Sequence, residues 1–527
     1  MFKKVFIIFS LLYMLFFVKT WGSVTGNVYT HDDVVYYAQT ASLANDFDID
    51  IRNNLGPYAN IYLQINQHTG RIMSYQPLGP TLLYIIPYLL TKPVVYFISM
   101  IRGAAFDQYD PLFFVILCFF TLVLFYISGS FLCRTMRLFF EKPIAEISAV
   151  FVLWGTILPV YVFRRQIFGV IPEFFTVTLL VYYLSKIFKE NAASIKYSSI
   201  LGAIAGFLAI TRWNDVYLLL PCLILLIVFS LRAYKKDRFQ KSLYNSVAFL
   251  TVFGIICALQ AAVWVMIYGS VNDFLSYYYQ IHASYISSKN TAAMYLRNLL
   301  HIFFGLDWGI LFTMPVLLFG GIAFIINPRI RILRHNIFNI ILFLLTFWAC
   351  FHVVLQWKNT GEFYGYRFLV SLLPFCAIGF AALIEIPWLK YKKIIAFLIL
   401  AFCLFNFFII LPFELTEKTT LLPDNISPMG GQGWGNNAYF INALKSYFQS
   451  DLDILISVFS RGYLAAFVFG MISLFGIDLA RFGDKVKNYF TLPNYRSSIA
   501  FVFPVLMAIW FYFLRKLDRK LIQNEQT

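Results

Sequence analysis

Apolar runs of about twenty residues, each long enough to cross a lipid bilayer as a helix, follow one another along nearly the whole chain with short polar stretches between them. They predict spans near 4–20, 111–132, 144–163, 173–188, 198–213, 215–231, 246–268, 308–327, 337–355, 366–386, 394–412, 452–477 and 497–515. The pattern is that of an all-α polytopic membrane protein, a bundle of about 13 transmembrane helices, since only helices or closed barrels satisfy their backbone in lipid. No internal repeat, low-complexity tract or soluble domain interrupts it, so residues 1–527 form a single transmembrane domain.

One apolar segment does not fit the alternation. If LGPTLLYIIPYLLTKPVVYFISMI (78–101) crossed completely, Arg134, Arg137 and Lys142 would emerge opposite Lys3 and Lys4, and every later basic cluster up to Arg481 would carry the wrong parity. Pro87 and Pro93 also break the segment twice. It is therefore expected to dip into the membrane without crossing, which makes 21–110 one long outer-face loop. The stretches Arg164–Glu173, Thr211–Asp215, 269–307, 356–365 and 413–451 then share that face. The tail RKLDRK falls outside too, against the positive-inside rule.

Composition supports the membrane reading. The chain is 60% hydrophobic and 13% charged, and a water-soluble fold could not cover its surface with so few charges. Its net charge of +16 lies in clusters such as RAYKKDRF, NPRIRILRH and KYKK between the spans, which is positive-inside patterning rather than a nucleic-acid surface. The seven cysteines lie in or beside apolar runs without metal or disulfide spacing, and read as packing residues. Met1–Thr20 has the basic head and apolar body of a signal peptide, but VKTWGS is a poor cleavage site, so the segment is expected to remain as the first span.

The chemistry is concentrated on the loop side. In VYTHDDVVYYAQTASLANDFDID, the adjacent acids Asp32 and Asp33 stand beside a span. A carboxylate at mid-bilayer costs about 2.5–3.5 kcal/mol or more, so the pair belongs at the interface or in a wet cavity, where adjacent acids shift each other's titration. Their neighbours His31 and Tyr37 are candidate substrate contacts. Further on, SYQPLGPTLLYIIP places Tyr75, Pro77, Gly79 and Pro80 at the start of the dipping segment. Arg164 and Arg165 precede Glu173, Arg212 stands in AITRWND, and Tyr366 and Arg367 stand in EFYGYRFLVSLLP. Arginines converging with acids on one face suit a phosphate or pyrophosphate, because guanidinium offers paired donors to phosphate oxygens. Asp307 ends a loop with Tyr277–Tyr279 and His282, suited to stacking on sugars or to an aromatic belt at the interface. Carboxylates among Asp32, Asp46, Asp48 and Glu173 could take a divalent metal, Mg²⁺ or Mn²⁺, although no ligand spacing demands it.

An acidic pair after the first span, a Y-x-P-x-G opening and the Arg of YGYRFLVSLLP together resemble the GT-C superfamily of integral-membrane glycosyltransferases. Within it the chain is similar to the protein O-mannosyltransferases, the lipid A aminoarabinose transferases and related bacterial enzymes. The resemblance covers the order of features over roughly the first 380 residues, giving a catalytic module at 1–390 and C-terminal apolar helices at 391–527. It implies inverting transfer of a sugar from a polyprenyl-phosphate donor to a glycan, lipid or protein acceptor on the periplasmic face of a bacterial inner membrane. Asp32 would be the general base, Asp33 the acid that follows it, and arginines would hold the departing phosphate. The chain departs from the family in two places. The mannosyltransferases have Asp-Glu at Asp32-Asp33, and the aminoarabinose enzymes have Lys-Pro-Pro where Tyr75-Gln76-Pro77 stands, so sugar identity does not carry over. The alternatives are a transporter or flippase of polyprenyl-linked glycans, and an O-antigen polymerase or ligase. The first usually shows paired halves with interrupted mid-membrane helices, and the second a large late outer loop bearing Arg and His. Here the unusual residues cluster early and on one face.

Overall fold

The computed structural model describes residues 1–16, 31–55, 64–101, 103–163, 165–190, 194–218, 223, 227, 238–283, 296, 299–300, 302–304, 309–326, 344 and 366–410. The expected spans at 452–477 and 497–515, almost all of 337–355, most of 215–231 and the loop 413–451 lie outside the described residues. The described chain is helical, with one isolated bridge between Ile65 and Ile72 and no named strand. Five of its helices are long and apolar enough to cross a membrane. The protein is an all-α integral membrane protein.

Helix α1 (Phe2–Phe16) buries Phe2, Phe6, Phe9 and Tyr13 along one stripe. That stripe meets α4 (Pro111–Arg137) and α5 (Lys142–Trp154), where Phe6, Phe9 and Tyr13 surround the Trp154 ring at 5.4 Å each. At one end of the bundle, Glu146 accepts from the Met1 amino group and from Arg137 Nη2, both at 2.9 Å. The start of α1, the end of α4 and the start of α5 therefore lie together, and residues 16 and 111 lie toward the opposite end. Lys3, Lys4, Arg134, Arg137 and Lys142 therefore fall at one end of the bundle.

Between them runs α2 (His31–Asn45), then α3 (Leu78–Ile101). The two prolines do not break α3, as the sequence suggested they would. It continues as one helix, with the Thr91 hydroxyl donating to the Pro87 carbonyl at 2.7 Å. By length and composition α3 could span a membrane, yet its partners belong to the α2 end of the bundle. Gly79 packs on Thr211, Tyr84 donates to the carbonyls of Gln166 and Phe168, Tyr88 stacks on Phe113 at 4.2 Å, and Lys92 donates to the Ala44 carbonyl. On its other side Leu89, Leu90, Val94, Phe97 and Met100 are exposed.

The expected span at 144–163 is two helices, α5 and α6 (Leu158–Phe163), parted at Gly155–Ile157. Next come α7 (Val170–Glu190), α8 (Ile195–Thr211) and α9 (Arg238–Tyr268). Gly202 and Gly206 let α8 approach α9 so closely that a Cβ on Gly202 would lie 3.1 Å from Phe249 Cα. This is the small-residue contact by which membrane helices pack without a hydrophobic drive. After α10 (Val271–Ala283) and α11 (Pro315–Ile326), the helical run α12 (Leu373–Ile410) leaves helical geometry at Tyr391, with φ −122° and ψ 29°. Phe380 and Phe402 lie 11 residues on either side of Tyr391, and both meet the Phe151 ring, at 4.7 and 5.5 Å. A straight helix would hold them about 33 Å apart. The run is therefore two antiparallel helices with Lys390, Lys392 and Lys393 at the bend, in agreement with separate spans at 366–386 and 394–412.

Candidate active site

At the α2 end, two helix N-termini face each other. Asp32 and Asp33 occupy the first turn of α2, and Glu173 the first turn of α7, positions where the helix dipole favours an anion. Asp33 Oδ2 accepts from Arg165 Nε at 2.6 Å, with Arg165 4% exposed and Asp33 23%. Arg165 is held by its loop. Tyr84 and Thr121 both donate to the Gln166 carbonyl at 2.9 Å, and the Phe168 amide donates to the Arg165 carbonyl. Glu173, without exposed surface, accepts from Arg212 Nη1 at the C-cap of α8. Burial pushes the Asp33 carboxyl above its usual value, Arg165 opposes the rise and Asp32 adds to it.

The third arginine joins the two pairs. Arg165 lies over the Phe168 ring at 5.1 Å, and Arg367 over the same ring at 4.8 Å. Arg367 also lies 5.2 Å from the Phe368 centroid, with Arg212 at 4.7 Å. Three guanidiniums are thus strung on two phenyl rings, each within cation–π range, and carboxylates hold the two outer ones. Tyr366 caps the 3₁₀ turn Arg367–Leu372 and is buried beside them. Asp215, in the turn after Arg212, adds its charge to the pair formed by Glu173 and Arg212.

Among the described residues Asp32 pairs with no arginine. Its Oδ1 accepts from Gln76 Nε2 at 2.9 Å, and Gln76 Oε1 in turn accepts from the Ser74 hydroxyl at 2.8 Å. The segment that carries Ser74 and Gln76 is fastened at both ends. On one side Leu78 N donates to Gln260 Oε1 of α9 at 2.7 Å. On the other, the turn at 66–71 hangs from the end of α9, with Asn66, Thr69 and Arg71 donating to the carbonyls of Tyr268, Ile267 and Met266. Tyr75 packs in an aromatic group with Trp264, Phe274, Tyr277 and Tyr278, and its carbonyl accepts from Trp213 Nε1 at 3.4 Å.

Of the residues singled out in the sequence, the structure brings Asp32, Asp33, Arg165, Glu173, Arg212, Tyr366 and Arg367 to one place, with Tyr75 nearby. Tyr37 lies apart from them. It faces the other side of α2, where its hydroxyl donates to the Gln108 carbonyl and its ring meets Tyr88 and Tyr109. Arg164 and Asp307 lie outside the described residues, as do the side chains of His31 and His282. The expected metal set of Asp32, Asp48 and Glu173 does not assemble. Asp48 lies beyond the far end of α2, about 20 Å from Asp32 by helix rise, and accepts from Ser42 at 2.6 Å. Asp46, at that same far end, accepts from Asn53 and Asn54. Among the described residues no group of three His, Cys, Asp or Glu could hold a metal. Asp33 and Glu173 both carry guanidinium partners, which repel a divalent cation, so these two carboxylates are poor donors for Mg²⁺ or Mn²⁺.

No protein-family profile matches the chain, and no curated protein matches it. Among solved structures, the oligosaccharyltransferase of Archaeoglobus fulgidus in its apo form is similar over 88% of this chain and 57% of its own, with 13% identity and TM-score 0.44. The same protein in complex with Zn and sulfate is similar over 76% and 52%, with 15% identity and TM-score 0.46. ArnT from Cupriavidus metallidurans, bound to undecaprenyl phosphate, is similar over 94% and 74%, with 12% identity and TM-score 0.46. The chain spans little more than half the length of the archaeal protein.

Proposed function

We propose that the protein is an inverting glycosyltransferase, which moves a sugar from a polyprenyl-phosphate donor to the hydroxyl of a glycan, lipid or protein acceptor at the α2 end of the bundle, on the outer face of the membrane. The observation that carries this reading is the string of Arg165, Arg367 and Arg212 on the rings of Phe168 and Phe368, close to the Asp32 carboxylate, which is held by Gln76. Guanidiniums prearranged in a low-dielectric site stabilise charge that develops on a leaving phosphate. Asp32 is the base.

In the transfer, the acceptor oxygen bonds to the anomeric carbon from the face opposite the phosphate. The bond from that carbon to the phosphate oxygen breaks, and its electron pair leaves with polyprenyl phosphate. The acceptor's proton passes to Asp32 Oδ2. Asp33 Oδ1 is a buried atom with no hydrogen-bond partner among the described residues, on a side chain 23% exposed, and is an acceptor that a sugar hydroxyl can fill.

Substitution Asp32→Asn tests the reading, because it removes the base without changing shape. It is expected to lower transfer about 10²–10⁴-fold while undecaprenyl phosphate still binds. Transfer is read by mass spectrometry of envelope glycans and in membranes supplied with their own polyprenyl-linked sugars. A variant that keeps more than about a tenth of wild-type transfer loses less than a base contributes, and would favour translocation of the lipid-linked glycan instead.

A further inference from the structure

Behind Asp32 lies a row of buried polar side chains that the reaction does not require as reactants. The Thr81 hydroxyl donates to Gln39 Oε1 at 2.9 Å, and Gln39 Nε2 donates to the Ser74 hydroxyl at 3.2 Å. Ser74 donates to Gln76 Oε1 at 2.8 Å, and Gln76 Nε2 donates to Asp32 Oδ1 at 2.9 Å. Thr81, Gln39, Ser74 and Gln76 are all more than nine-tenths buried. They come from α3, α2 and the segment before α3, so the row ties three parts of the chain together at the carboxylate.

From this geometry we propose that Gln76 is the positioning residue for Asp32, the last member of a one-way hydrogen-bond chain that grips Oδ1 and presents Oδ2 to the acceptor hydroxyl. The inference rests on the reading of Asp32 as the base. Two physical arguments carry it. First, every donor in the row points toward Asp32, and successive hydrogen bonds of the same sense polarise one another, so the amide at the end is a stronger donor than an isolated glutamine. Second, a carboxylate in the first turn of a helix can rotate about its side-chain bonds, whereas an oxygen held by a buried amide cannot wander, and reacting groups displaced by about 1 Å can lose about 10²-fold in rate. Gln76 and Ser74 touch neither the sugar nor the acceptor in this scheme. They act through Asp32.

The test uses Gln76→Glu, which keeps the shape and replaces the donor by an acceptor, together with Ser74→Ala and Ser74→Thr. Losing a hydrogen bond to a charged group corresponds to about 10- to 100-fold. Gln76→Glu is expected to lower transfer in native membranes by that factor, and Ser74→Ala by a smaller one. Ser74→Thr keeps the hydroxyl and is expected to stay within about threefold of wild type, as a tolerated side-chain exchange does. All three should bind undecaprenyl phosphate with wild-type affinity, which a general loss of folding would not permit. If Gln76→Glu folds poorly, the contrast between the two Ser74 variants decides alone. Wild-type transfer by Gln76→Glu or Ser74→Ala, with Asp32→Asn inactive, overturns the positioning role and leaves the base intact. Activity in Asp32→Asn overturns both.

Discussion

Arg212 reaches across 39 positions of sequence to Glu173, whose side chain has no exposed surface at all. Desolvating such a pair is costly, and each member is tolerable only because the other is present. Arg212→Ala should therefore cost about 3–5 kcal/mol, because it strands a buried carboxylate, and Glu173→Ala should do similar damage. The double variant should be more stable than either single one. Thermal unfolding in detergent measures all three, and additive losses would mean that the pair is not coupled.

Gly79 should tolerate nothing larger. A Cβ there would lie 2.8 Å from the Ile210 carbonyl oxygen and from Thr211 Cα, which are backbone atoms that cannot swing aside. Gly79→Ala is expected to cost about 1–3 kcal/mol through overpacking. It should also lower transfer by about 10²-fold, since it parts the Gln76 segment from Arg212. Comparing the drop in Tm with the drop in transfer separates the two effects. Equal transfer by wild type and variant would rule out this contact as a spacer of the site.

The titration of Asp33 has a definite sign. Its folded pKa lies above the usual aspartate value of 3.8, mainly through burial, so between the two the folded state holds a proton that the unfolded chain has released. That contribution to stability is complete below 3.8 and is lost as the pH rises through the folded pKa. Asp33→Asn cannot titrate. The Tm of wild type relative to Asp33→Asn is expected to fall with rising pH across that window, and a constant difference would remove Asp33 as the titrating group.

Side labelling tests the path of α3. Lys4 and Asp107 are both exposed, and the contacts described above place them at opposite ends of the bundle. Cysteines at these two positions should react with an impermeant reagent from opposite sides of the membrane, Asp107→Cys from outside. Reaction of both from the same side would mean that α3 crosses completely.

The charged half of the site was legible because charge is conspicuous in so apolar a chain. Asp33, Arg165, Glu173, Arg212 and Arg367 each sit at the edge of a span, where only a partner or a function accounts for them. Asp215 stood within the quoted AITRWND without a role. The uncharged half was hidden. Gln39, Ser74 and Thr81 are ordinary residues of ordinary segments, and Gln76 lay inside the quoted opening of α3 without distinction. Phe168 and Phe368 are two among 59 phenylalanines, and no spacing marks them as the supports of three guanidiniums. The unbroken course of α3 escaped because proline marks where one backbone donor is missing, while neighbouring contacts decide whether the helix goes on.

The turn at 66–71 gives the site a mechanical link to the lipid. It is suspended from the last carbonyls of α9, a helix whose outward side, at Tyr244, Val247, Ile255 and Leu259, is exposed. A helix so placed relieves a mismatch with bilayer thickness by tilting. When α9 tilts, the suspended turn moves with its end, and the strand of chain leading from Arg71 to Gln76 draws on the amide that grips Asp32. A change in the tilt of α9 would therefore be felt at the carboxylate.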